Sequence, residues 1–146
     1  MNYYKATEKY LYNYKSLKAN IENMKVQIKE IDYNPLQGAG FEYMEDTGYK
    51  KSTVENTVIR IDKKRNDLKN RIKELECKLE RIDRSIEALN DVERYIVVEW
   101  YFEGRQWWQI AHKIKYSERH CRRIRTNAVN KISVGLFGLE AMEECM

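Results

Sequence analysis

A 3.5-residue repeat of apolar side chains is the feature that most constrains this chain. Tyr3, Thr7, Tyr10, Tyr14, Leu17, Ile21, Met24, Ile28 and Ile31 follow one another at alternating spacings of four and three. Apolar positions at that period line one side of a helix and form a seam for a second helix. Only Thr7 is polar in the stripe, and Lys and Glu fill the other faces. A continuous helix over Tyr3 to Ile31 would be about 43 Å long, at about 1.5 Å per residue. The pattern stops at Asn34-Pro35 and Gly38-Ala39-Gly40. Proline cannot continue a helical hydrogen-bond ladder and glycine accepts turn conformations. Residues 33–51 therefore read as a connector, rich in tyrosine and phenylalanine.

The repeat resumes after Ser52-Thr53-Val54-Glu55, a capping-box spacing in which each side chain satisfies the other residue's backbone N–H. Val54, Val58, Ile61, Arg65, Leu68, Ile72, Leu75, Leu79, Ile82, Ile86 and Leu89 carry the second stripe. Arg65 interrupts it. A polar seam residue can fix register or oligomer state, or lie where the partner helix has ended. The two stripes can pair as an antiparallel hairpin. The second is longer, so apolar surface is left over and a homo-oligomer is the simplest way to cover it.

The last third is different in charge. Between Arg105 and Lys131 stand eight Lys/Arg and one acid, Glu118, a net of +7. The whole chain nets +4, so the remaining residues net −3. A compact basic block is the electrostatic footprint of an anionic partner such as nucleic acid. Asn90-Asp91-Val92-Glu93 opens a helix by the capping-box spacing, with Val92, Ile96, Val97, Trp100 and Tyr101 on its apolar side and Glu103-Gly104 as its stop. A short helix follows with Trp107, Ile110, Ala111 and Ile114 inward. After the turn Lys115-Tyr116-Ser117, a final helix starts at Glu118 with Cys121, Ile124, Ala128 and Ile132 at core spacing. Two short helices joined by a turn, the second rich in Arg, describe a helix-turn-helix whose second helix enters a major groove.

The stretch from Leu89 to Ile132 resembles the promoter-reading domain (region 4) of bacterial sigma factors. The carrying residues are Leu89, Glu93, Arg94, Ile96, Val97, Tyr101, Ile110-Ala111, Tyr116-Ser117, Cys121, Arg122, Ile124, Ala128, Lys131 and Ile132. Over its whole length the chain resembles phage late transcriptional regulators of the RinA and ArpU type, most clearly in the run Tyr116 to Ile124 and in Val134-Gly135-Leu136-Phe137-Gly138. The resemblance implies a sequence-specific regulator, an activator, of phage or prophage late genes that binds double-stranded DNA. The sigma resemblance implies promoter contacts from Glu118, Arg119, His120, Arg122 and Arg123, and Ser117, Arg125 and Lys131 complete the expected DNA-binding set. Two departures stand out. Lys115 occupies the turn position where the sigma pattern has Gly, and no sigma-like polymerase-binding or promoter-melting region lies upstream.

The expected architecture is all-α. A long-helix region spans 1–89 with its connector at 33–51, a helix-turn-helix domain spans 90–138, and an acidic tail with Glu140, Glu143 and Glu144 spans 139–146. Two other readings stand beside DNA readout: a sigma-like domain that binds RNA polymerase, as an antiterminator would, and a DNA-packaging recognition subunit. No Gly-rich phosphate loop, nucleophile motif or metal-ligand spacing occurs, so neither enzyme activity nor a cofactor or metal is expected. Cys121 falls on the core stripe and reads as a small buried hydrophobe. No apolar run nears the roughly 20 residues needed to span a bilayer, and Met1-Asn2-Tyr3-Tyr4-Lys5 lacks a signal-peptide core. Three widely spaced cysteines fit a reducing compartment, and a cytoplasmic, nucleoid-associated protein is expected.

Overall fold

The computed structural model describes residues 1–33 and 53–145, and these residues are all-α, with no strand among them. The elements are α1 (Tyr3–Tyr12), α2 (Tyr14–Tyr33), α3 (Thr53–Glu87), α4 (Asp91–Val97), a π-helical turn (Val98–Phe102), α5 (Trp107–Ile114), α6 (Glu118–Phe137) and α7 (Leu139–Cys145). The Ser52 capping box and most of the connector lie outside the described residues. No helix among the described residues is long and apolar enough to cross a membrane.

The chain divides into two compact units, Met1–Ser16 with Lys78–Met146, and Leu17–Cys77. In the second unit α2 and α3 run antiparallel. Lys25 pairs with Glu76 at 3.4 Å and Asp32 pairs with Arg65 at 2.7 Å, so the register falls in α3 as it rises in α2. Ile21, Met24, Ile31, Ile61, Leu68 and Ile72 are buried, as the heptad spacing predicts. Leu17, Ile28 and Leu75 are half-buried, and Val58 is exposed. Arg65 has found a partner rather than an end of the seam. Its guanidinium spans Asp32 on α2 and Asp62 on its own helix, at 2.7 and 3.1 Å. An arginine held by two carboxylates in an otherwise apolar stripe favours one register over its neighbours.

In the first unit the expectation of one unbroken helix from Tyr3 to Ile31 fails at Asn13. Its side-chain amide donates to the Lys9 carbonyl at 2.8 Å, and its backbone leaves the helical region at φ −99° and ψ 6°. Asn side chains compete in this way for helical carbonyls. The break coincides with a change of inward residue. Leu11 is buried, whereas Tyr10, the heptad choice, is half-buried under the Lys78 ammonium. Both spacings suit a helix, so periodicity alone did not separate them.

The expected boundary at residue 89 also moves. α1 belongs with the C-terminal helices, because its tyrosines and Glu8 bond to them. Tyr3 donates from its hydroxyl to Glu140 at 2.6 Å and from its backbone N–H to Glu144 at 2.8 Å. Tyr101 donates to Glu8 at 2.6 Å, and the Tyr12 hydroxyl accepts from the Trp100 indole N–H at 3.2 Å. The segment expected as an acidic tail is accordingly helix α7, with Ala141 buried and two of its carboxylates engaged by Tyr3.

The α3–α4 corner is built from backbone caps. Asn90 Oδ1 accepts from the Glu93 N–H at 2.8 Å, and the Glu93 carboxylate accepts from the Asn90 N–H at 3.3 Å, the reciprocal box that the sequence spacing predicts. Arg94 turns back onto the end of α3, donating to the carbonyls of Glu87 and Leu89 at 2.9 and 3.0 Å. A cation there satisfies carbonyls that have no helical partner. The expected single helix from Val92 to Tyr101 widens after Val97 into the π-helical turn, closed by the Glu103 N–H on the Val98 carbonyl at 3.0 Å. Gly104, at φ 66°, ends it. The wide turn buries Tyr101 and sets Trp100 against Trp107.

Candidate nucleic-acid interface

The core that positions the cationic helix is small and apolar. Ile96, Ile110, Ala111 and Cys121 are buried together, with Val92, Tyr95, Trp107, Ile114 and Ile124 around them. Each fully buried aliphatic side chain contributes roughly 1.5–3 kcal/mol. Burial also pushes the Cys121 thiol above its ordinary value, which keeps it neutral in this core. α5 is fixed at its start by Gln109, whose side chain accepts from the Gln106 N–H at 3.0 Å. It ends at Lys115, which adopts the left-handed conformation at φ 59° and ψ 37°. The Tyr116 N–H then closes on the Ala111 carbonyl at 3.1 Å. Ser117 caps α6, its hydroxyl accepting from the His120 N–H at 3.1 Å.

Lys115 is the sole positive-φ residue other than glycine among the described residues. A side chain there carries a steric cost that glycine avoids, partly offset by the greater freedom of glycine in the unfolded chain. Lys115→Gly is expected to stabilise the protein by about 0.5–1 kcal/mol. Thermal unfolding checks this, and a lower melting temperature would contradict a strained turn.

The structure brings most of the expected residues together on the first two turns of α6. Ser117, Glu118, Arg119, His120, Arg122 and Arg123 are all exposed. Arg119 and Arg123 have no ion pair among the described residues. Glu118 and Arg122 form an i,i+4 pair at 3.7 Å. His120 packs edge-on to Tyr116, with ring centroids 5.0 Å apart. His112, Lys113 and Lys115 are exposed on the neighbouring helix and turn. The two remaining candidates have partners inside the protein. Arg125 is half-buried, 3.9 Å from the Glu8 carboxylate and over the Trp107 ring at 5.4 Å. Lys131 donates to the Glu93 carboxylate at 2.9–3.0 Å.

Several contributors had no distinctive signal in the sequence. Trp107 and Trp108 are adjacent and look alike. Trp107 is half-buried and stacks on Trp100 with centroids 4.2 Å apart, whereas Trp108 is 63% exposed. Glu8 lies 93 residues from its partner Tyr101 and farther still from Arg125. Burial, and then the Glu8 carboxylate that accepts its proton, raise the Tyr101 phenol above its ordinary value. The unfolded chain loses that proton near about pH 10 while the folded chain keeps it. The Tyr101 contribution to stability is therefore complete below about pH 10 and falls as pH rises past it. Denaturant titration at about pH 9 to 11 is expected to show a shallower alkaline loss in Tyr101→Phe than in the wild type. Parallel losses in the two proteins would contradict the coupling.

No curated protein and no solved structure matches the chain. A family model described as "Protein of unknown function (DUF722)" matches residues 4–134, from the start of α1 to the second half of α6. The chain belongs to that family.

Proposed function

We propose that the protein is a sequence-specific double-stranded DNA-binding regulator of transcription, an activator of phage or prophage late genes, with α6 as its recognition helix. One observation carries this reading. The exposed first two turns of α6 present Arg119, Arg122 and Arg123 beyond a sharp turn, with Glu118 as the lone acid among them. At about 100° per residue, Arg119 and Arg123 lie opposite the buried residues Cys121, Ala128 and Ile132. A helix seated by that core meets the groove floor with those two guanidinium groups, which suit the O6 and N7 acceptors of guanine. Phosphate contacts fall to the flanking cations. Arg125 and Lys131, held by Glu8 and Glu93, serve to fix the helix rather than to touch DNA. The assignment to phage late genes rests on the resemblance of the Tyr116 to Ile124 run. The antiparallel α2–α3 pair supplies the surface for a homodimer. Two recognition helices would then meet half-sites one helical turn, about 34–36 Å, or a multiple of it apart.

The test pairs a reporter with a pulldown. A promoter carrying the bound site is expected to respond to the wild-type protein and not to a variant with Arg119, Arg122 and Arg123 all changed to Ala. Retention of RNA polymerase by the purified protein without DNA, with no response that depends on the site, would replace this reading with the polymerase-binding one.

A further inference from the structure

Arg122 differs from Arg119 and Arg123 on α6. It lies about 100° round the helix from Arg123, toward α5 and away from the face opposite the core. Its guanidinium stands over the Trp107 ring, 5.8 Å from the centroid, and 3.7 Å from the Glu118 carboxylate. Trp107 is itself fixed. Trp100 stacks on it with an interplanar angle of 15°, and the Trp100 indole N–H donates to the Tyr12 hydroxyl of α1 at 3.2 Å. A guanidinium held between a carboxylate and an indole would have to leave both to reach a base edge on the groove floor. From its present place it can reach the rim of the groove. Its N–H edge remains available to the oxygens of a phosphate, since a guanidinium can use its plane for stacking and its edge for hydrogen bonds.

We propose that Trp107 is a positioning residue for the DNA backbone: backed by Trp100 and Tyr12, it holds the Arg122 guanidinium at the groove rim, where Arg122 binds a phosphate and not a base. This inference rests on the DNA reading above and assigns a division of labour within it. Arg119 and Arg123 specify sequence, while Arg122 fixes how the helix sits. It also gives the N-terminal helix a part in recognition, because the aromatic stack ends on α1.

The experiment is a salt titration of binding to a duplex carrying the selected site, using the full chain and fluorescence anisotropy. The variants are Arg122→Gln, Trp107→Leu, Trp107→Phe and the Arg122→Gln/Trp107→Leu pair. Each neutralised phosphate contributes about 0.9 to the slope of log affinity against log salt. Arg122→Gln and Trp107→Leu are each expected to reduce the slope by about that much, with the base preference unchanged. The double variant is expected to lose no more than either single one, because both remove the same contact. Trp107→Phe keeps an aromatic face and is expected to keep the slope. A full slope in Trp107→Leu, additive loss in the double variant, or a preference changed at one base pair in Arg122→Gln overturns the inference. If circular dichroism shows Trp107→Leu to be unfolded, Arg122→Gln and Trp107→Phe decide it by the same criteria. A wild type that selects no DNA overturns the DNA reading and this inference together, whereas a selected motif with an unchanged slope overturns this inference alone.

Discussion

Changing Arg119 and Arg123 together to alanine is expected to lower affinity for the specific site by roughly 2–6 kcal/mol, about 1–3 kcal/mol for each lost base contact. That is a loss of some thirty-fold at the least. Stability is expected to stay within about 0.5 kcal/mol of the wild type, because both side chains are exposed and have no ion pair among the described residues. Competition binding against the specific site and against unrelated duplex separates two roles. Loss confined to the specific site identifies base readout. An equal loss on every sequence would reduce the two arginines to phosphate contacts and remove the basis for sequence specificity in α6.

Glu93→Ala is expected to destabilise the fold by about 2–4 kcal/mol. Glu93 is 5% exposed and does two things at once. It completes the capping box with Asn90 at the start of α4, and it receives the Lys131 ammonium of α6 on both oxygens, at 3.0 and 2.9 Å. The Asn90 cap itself survives in Glu93→Ala and only its reciprocal bond is lost, so most of the cost comes from breaking an ion pair with one buried member. The Lys131 side chain is 60% exposed, so removing the carboxylate leaves its charge in water rather than buried. That keeps the cost below the upper range for buried pairs. Lys131→Ala strands the carboxylate instead, with only the Asn90 N–H to bond, and is expected to destabilise as well. Denaturant unfolding measures both. A cost under about 0.5 kcal/mol in Glu93→Ala would show that α4 and α6 are joined by apolar packing alone.

Element type was legible almost throughout, because 3.5- and 3.6-residue periods and capping residues are local signals. The Asn90–Glu93 box and the Ser117 cap form as their spacing predicts. The cationic cluster on α6 was legible for the same reason, since Arg119, Arg122 and Arg123 fall off the apolar stripe. Arg125 also falls near the edge of that stripe, and its fate depended on Glu8, far away in sequence. Charge counting treats it like its neighbours. Only the packing of α1 shows that it turns inward. The unit boundary was missed for a related reason. The tyrosines of α1 continue a heptad, so they read as coiled-coil seam, whereas Tyr3 bonds to two acids of α7. Long-range polar pairs of this kind leave no periodic trace. The π-helical turn was equally hidden, since its extra residue per turn has no composition of its own.

The function proposed for α6 is to read the sequence of double-stranded DNA. Genome-wide capture with the purified full chain at about 150 mM salt, where weak non-specific binding is suppressed, tests it most directly. The control is the protein with Arg119→Ala, Arg122→Ala and Arg123→Ala combined. One enriched motif that the control loses is expected, with two-fold symmetry if a dimer binds. Enrichment without a motif, or a motif that the triple variant still selects, would contradict that function.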